Sequence, residues 1–219
     1  MSSSSQGVLQ VRELGFAYSS RGSTVLSGVS IDFEAGAITA LTGPSGCGKS
    51  TLLYIAGLML RPTEGAVLFQ GTDVSALRDS DRSQIRRNNM GFVFQDALLD
   101  PSRTVLDNVL EPAVFAGVPR RHLSGRAHDL LEAFGVSHRA SHRPGQISGG
   151  QAQRVALCRA LLLEPTVILG DEPTGNLDAD STEVVWETLD SAANQGATVI
   201  IATHNARLAT RAHAHIALS

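Results

Sequence analysis

The sequence predicts an α/β fold in which a mainly parallel sheet is interrupted by a helical insertion. Three observations carry that prediction. The runs "TVILGD" and "TVIIATH" are continuous and β-branched, the pattern of strands buried on both faces at the centre of a parallel sheet. A third apolar run, "AITALTG", ends in glycine just before a helical segment, giving a strand, a loop and a helix in succession. Between Asp96 and Leu163 three segments carry apolar residues at helical spacing, with no strand pattern between them.

Taken in order, "MSSSSQG" is small and polar and lacks the basic segment and apolar core of an export signal. Residues 1–7 are expected to be a disordered start. "VLQVREL" and "GVSIDFEAG" alternate as half-buried strands, and a helix is expected from near Lys49. "AVLFQG" and "MGFVFQD" read as further strands. The helical segments are "TVLDNVLEPAVFAG", "RRHLSGRAHDLLEAFG" and "SGGQAQRVALCRALLLE". Val155, Cys158 and Leu162 fall at i, i+3 and i+7 on one face, so Cys158 is expected to be core packing. The whole chain, 1–219, reads as one domain, with an α/β core over 8–95 and 164–219 and a helical insertion over 96–163.

A chain of 219 residues can bury roughly 70% of its unfolded surface and needs no covalent staples. The 18 basic and 21 acidic residues give a net charge of -3, no electrostatic reason to expect nucleic acid. Cys47 and Cys158 have no metal-ligand spacing, the usage of a reduced cytoplasmic protein. The longest apolar runs fall short of the roughly 20 residues that span a bilayer, so a membrane role would come through a partner.

"GPSGCGKST", from Gly43 through Pro44, Ser45, Gly46, Cys47, Gly48, Lys49 and Ser50 to Thr51, fits G-x-x-x-x-G-K-[ST] and stands between a predicted strand and a predicted helix. The glycines let backbone N–H groups curl around an anion, and the helix start adds its positive end. Lys49 can reach the β and γ phosphates, and Ser50 presents a hydroxyl to Mg²⁺. A second stretch, "LGDEPTGNLD", ends an apolar strand in two adjacent acids. Burying one unpaired charge costs several kcal/mol, so Asp171 and Glu172 need a cation, a hydrogen-bond partner or water. In P-loop nucleotide hydrolases such a strand lies beside the phosphate loop, which assigns Asp171 to Mg²⁺ and Glu172 to the attacking water.

The helical insertion ends in "ISGGQAQRVALCRALLLEPTVILGDEPTGNLD", and on these motifs the chain resembles the ATP-binding cassette, or ABC, ATPases over nearly its whole length. "ISGGQ" matches the family's signature with Ile147 in place of leucine. Ser148 can cap the following helix while the Gly149 and Gly150 amides stay exposed, with Gln151 completing the motif. The resemblance implies a P-loop NTPase core, mainly parallel sheet with an antiparallel β subdomain, and an inserted α-helical subdomain. It implies ATP and Mg²⁺ as ligands and a head-to-tail dimer, with an identical or a similar chain, in which the signature of one subunit closes over the phosphates of the other. Gln95 in "GFVFQD" resembles the glutamine that touches Mg²⁺ and water, Asp178 the loop that signals between sites, and His204 the histidine at the γ phosphate that supports Glu172. Tyr18 stands where the family keeps a ring that stacks on adenine. The other six histidines, "HAH" at His213–His215 included, are expected to be surface or strand residues.

Short motifs resemble most the branch of lipoprotein-releasing, macrolide-exporting, peptide-resistance and cell-division ATPases. These work on an integral membrane permease subunit from the cytoplasmic face. One departure is "AHAHIALS", which stops where the family continues through another glycine turn and strand. The alternative is a soluble ABC ATPase acting on nucleic acid or ribosomes. Such members carry long coiled coils or two fused cassettes, and this sequence shows one cassette and no extended heptads.

Overall fold

The computed structural model describes residues 7–19, 23–175 and 177–219. In chain order the elements are β1 (Leu9–Phe16), β2 (Leu26–Phe33), β3 (Ile38–Thr42), α1 (Lys49–Ala56), β4 (Glu64–Phe69), β5 (Thr72–Asp73), α2 (Asp79–Asn89) and β6 (Met90–Val93). After them come α3 (Val105–Val109), α4 (Glu111–Ala116), α5 (Arg120–Ala133), α6 (Gly149–Leu161), β7 (Val167–Asp171), α7 (Ala179–Asn194), β8 (Thr198–Ala202), α8 (Ala206–Ala209) and β9 (Ala214–Ala217).

The β-branched runs become the centre of a five-stranded parallel sheet in the order β6-β7-β8-β3-β9. Because side chains alternate along a strand, each central strand feeds two cores. Ile168, Val199 and Ile201 pack on one side among residues of α5, α6 and α7. Val167, Leu169 and Ile200 pack on the other against Leu52, Leu53 and Ile55 of α1 and the inner face of a four-stranded antiparallel sheet, β2-β1-β4-β5. Each fully buried Leu or Ile contributes about 1.5–3 kcal/mol by leaving water, so the sheet is held from both faces. The P-loop core, the antiparallel β unit and the helical subdomain are thus all present.

Several local expectations are corrected. Residues 1–6 of the expected disordered start lie outside the described residues, but Gly7 is buried against the end of β2, where a Cβ would come within 2.6 Å of the Phe33 carbonyl oxygen. Strand β1 is not a simple alternation, because it lies inside its sheet between β2 and β4 and bulges around Glu13, at φ 44°. "TVLDNVLEPAVFAG" forms two helices, not one. Thr104 caps α3 in a capping box with Asp107, and the chain restarts at Leu110 with Pro112 in the first turn of α4, where its missing N–H is harmless. Helix α2 has no apolar face, and Arg82 is its only buried residue. Arg82 and Arg86 hold it by donating to the Leu58 carbonyl beyond α1, and Arg82 also donates to Leu60. The tail "AHAHIALS" forms β9 on the edge of the parallel sheet beside β3. His213 Nδ1 accepts from the Ile38 amide at 3.0 Å, and His215 Nε2 pairs with the Thr42 hydroxyl at 2.5 Å. As expected, Cys158 is fully buried with Val155 and Leu162, and burial pushes its thiol far above the ordinary range.

Candidate functional site

Register in the parallel sheet brings distant motifs together. Asp171 pairs with Ala202 across β7 and β8, and Leu41 of β3 pairs with the same Ala202 from the other side. The residues that follow these pairs, Glu172, Thr203 with His204, and the loop after Thr42, therefore emerge side by side at the carboxyl ends of three neighbouring strands. The backbone continues the match: the Glu172 amide donates to Ala202 and the Thr203 amide to Leu41. Ligand sites of open parallel sheets form at this edge.

The loop from Gly43 to Gly48 is built for close approach. A side chain at Gly43, φ 144°, would place its Cβ 2.3 Å from the carbonyl oxygen of Leu218, just past β9. Gly48 caps α1 in the left-handed region at φ 95°, against Leu26. Lys49 folds back over the loop, its Nζ donating to the carbonyls of Gly43 at 2.8 Å and Pro44 at 2.9 Å. The ammonium is thus held within the loop, and anionic phosphate oxygens are stronger acceptors than the carbonyls it uses. Cys47 Sγ lies 4.0 Å from Lys49 Nζ.

Asp171 is gripped from one face of α1. Ser50 Oγ donates to Oδ1 at 2.9 Å, and one turn later the Tyr54 hydroxyl donates to Oδ2 at 2.6 Å. Burial and the Asp171 carboxylate push the Tyr54 phenol well above its ordinary range. Glu172 stands at φ 47°, a backbone region that costs a non-glycine residue energy and that clusters at functional sites. Its carboxylate accepts from the buried Thr203 hydroxyl at 3.2 Å and lies 2.8 Å from Nδ1 of the exposed His204. The second acid is thereby clamped from β8. Ser50 and Asp171 offer hard oxygen donors side by side, and the described residues hold no group of three or more His, Cys, Asp or Glu that could cage a metal alone. That donor set fits Mg²⁺ shared with phosphate oxygens and water.

The other sequence candidates are distributed around this edge. Gln95 is exposed just beyond β6, its Nε2 3.6 Å from where a Cβ on Gly175 would stand. The Tyr18 hydroxyl lies 3.1 Å from Thr51 Oγ1 while its ring, 70% exposed, meets Phe16 edge-on. Ser148 caps α6: its hydroxyl accepts from the Gln151 amide and the Gln151 side chain accepts from the Ser148 amide. Asp178 caps α7 through the Ser181 amide at 2.7 Å, and the Ser181 amide and hydroxyl hold its carboxyl below the ordinary range. Among the described residues no hydrogen bond joins 148–151 to 43–51, so the two glycine-rich motifs are not brought together within one chain. Tyr54 and Thr203, which hold the two acids, are contacts that motif spacing does not reveal.

A family model described as ABC transporter matches residues 26–175, which include the phosphate loop, the signature and both acids. The chain belongs to the ABC transporter ATPase family. It is an ATP-binding and ATP-hydrolysing cassette subunit. It is 48% identical over 188 residues to the lipoprotein-releasing system ATP-binding protein LolD of Paramagnetospirillum magneticum, covering 85% of this chain and 83% of that protein. With LolD of Geobacter metallireducens it shares 45% identity over 207 residues, 93% and 92% of the two chains. Among solved structures, the dimeric bacterial ABC transporter cassette MJ0796 superposes with a TM-score of 0.88 at 34% identity, covering 96% of this cassette and 94% of that one. The MJ0796 dimer bound to ADP and Pi in a post-hydrolysis state gives 0.85 at 33% identity, with 96% and 94% covered.

Proposed function

We propose that this cassette binds Mg·ATP at the tips of β3 and β7, closes head to tail on a second cassette, and hydrolyses ATP to drive a separate integral membrane subunit. The observation that carries the proposal is the pairing of Ser50 with Asp171 and of His204 with Glu172 on adjacent strand ends beside the phosphate loop. Lys49 and the loop amides bind the β and γ phosphates, and Tyr18 stacks on adenine. Ser50, Asp171 and Gln95 hold Mg²⁺. When bound, the ion neutralises charge that builds on the phosphate oxygens. Glu172 takes a proton from water as the water oxygen bonds to the γ phosphorus and the bond to the β–γ bridging oxygen breaks, releasing ADP and phosphate. His204 keeps Glu172 in place through Nδ1 and presents its other ring nitrogen to the γ phosphate.

In the dimer, Ser148, Gly149, Gly150 and Gln151 of one cassette cover the phosphates of the other, and Asp178 signals between the two sites. A partner surface is supported by a groove of about 490 Å³ beside β6, lined by Phe92, Phe94, Leu98, Phe115, Arg86 and Arg87. Leu98 and Phe115 are 62% and 63% exposed, which suits a covering element. The likeness to LolD supports a role at the inner face of the cell membrane, in which the ATP-driven stroke exports cargo or moves an outer domain. Capture of the tagged cassette from gently solubilised native membranes tests the partner. The expected result is a membrane subunit with few spanning helices and a large outer domain, released by Phe115→Asp. Recovery from the soluble fraction alone would overturn it.

A further inference from the structure

The β6–β7 ladder ends at the pair Val93 and Gly170, short of the residues that do the proposed chemistry. One residue past that ladder Phe94 leads into Gln95, and on the other strand Pro173 follows Glu172. A single side chain joins them. Gln153, 3% exposed on α6, donates both amide hydrogens of Nε2, one to the Phe94 carbonyl at 2.8 Å and one to the Pro173 carbonyl at 3.0 Å.

The helix that carries Gln153 is the one whose first turn is the signature. Gly150, Gln153 and Arg154 are spaced i, i+3 and i+4 and so share a face. Arg154 donates to the Ser181 hydroxyl at 3.2 Å, and a Cβ on Gly150 would stand 3.1 Å from the same oxygen, next to the Asp178 cap. A cavity of about 130 Å³ lies between Gln95, Gly149, Gln153 and Pro173, leaving room for the start of α6 to shift. A shift of α6 must either carry both carbonyls with it or leave two acceptors and an amide unpaired in a buried place, which is costly.

We infer that Gln153 is a positioning residue through which the signature helix sets the placement of Gln95 and Glu172 for hydrolysis. Gln153 Nε2 is spent on two backbone carbonyls, so the residue acts through the backbone on either side of the acids. Contact of the signature with a second cassette's nucleotide is thereby felt at the acids of its own chain. The inference rests on the proposed function, and its test separates the two.

The test compares the parent with Gln153→Met, which keeps length and burial and removes the donors. Gln153→Asn, one methylene shorter with the amide retained, serves if Gln153→Met does not fold. For a misplacement of this kind kcat should fall about tenfold or more, with KM and nucleotide affinity kept within about twofold. ATP-driven dimerisation should persist in a Glu172→Gln background. Amide hydrogen exchange should quicken at 94–96 and 172–175 while the rest of α6 keeps its protection. Parent-like kcat and exchange would overturn the inference. So would a fall of kcat accompanied by equal losses of nucleotide affinity and thermal stability, which marks a purely structural tie. A parent without Mg²⁺-dependent ATPase would sink the proposed function, and hydrogen exchange would still decide for or against the Gln153 link.

Discussion

At the strand tips Lys49, Ser50, Asp171, Glu172 and His204 each have a partner within the chain. At the start of α6 Ser148 and Gln151 satisfy only one another, and the space above Gly149 is open, with nothing within 4 Å of a Cβ there. The first region is held in place by hydrogen bonds within the chain, the kind of pre-organisation the proposed chemistry needs. The second is a helix start with two glycines, the place where the proposed function seats the phosphates of a second cassette. The contrast is what the proposed head-to-tail pairing of two cassettes requires, and the solved MJ0796 relatives are dimers.

The largest effect is expected in the pre-organised region. Glu172→Gln keeps the shape and removes the proposed base, and kcat should fall by about 10²–10⁴ with ATP affinity kept, measured by single-turnover hydrolysis and equilibrium binding. On the exposed side, Gly149→Glu adds a carboxylate to open space. Thermal stability and ATP binding by the monomer should be unchanged, while dimer formation is lost and ATPase drops about 10²-fold. Equal ATPase in this variant would mean that the signature turn has no part in the reaction. Tyr54→Phe sharpens the account of the strand tip: without the hydroxyl on Asp171 Oδ2, the Mg²⁺ concentration for half-maximal activity should rise roughly 10-fold, as should the Mn²⁺ dissociation constant read by electron paramagnetic resonance with ATP present.

The smallest effect concerns the Asp178 cap. Its carboxyl is held low in the folded state by Ser181, so the stability it adds is complete above the ordinary carboxylate pKa of about 3.9. That stability is lost as pH falls through the lower folded value. Asp178→Asn caps without titrating. The difference in melting temperature between parent and variant should therefore be constant near neutral pH and shift in the variant's favour as acid protonates Asp178.

The parallel sheet was legible because its central strands are buried on both faces, which forces unbroken apolar runs such as "TVIIA". The phosphate loop was legible because an anion cradle fixes both residue type and spacing. Helix α2 was not, since "DSDRSQIRRNN" has no apolar stripe and is tied down by arginines on carbonyls of another segment. Strand β9 was hidden by its shortness, four residues of which only Ile216 packs against the core. Tyr54, Thr203 and Gln153 depend on which face of a helix meets which strand end, a fact of register that no local pattern encodes. Their distances to the groups they bond exist only in the folded chain.

In the proposed function ATP joins two cassettes across their half-sites. That joining is tested most directly by light scattering of purified Glu172→Gln with and without Mg·ATP. The account predicts a shift from monomer to twice the monomer mass with ATP, absent with ADP and absent when Gly149→Glu is added. A protein that binds ATP tightly and stays monomeric at every concentration tried would contradict it.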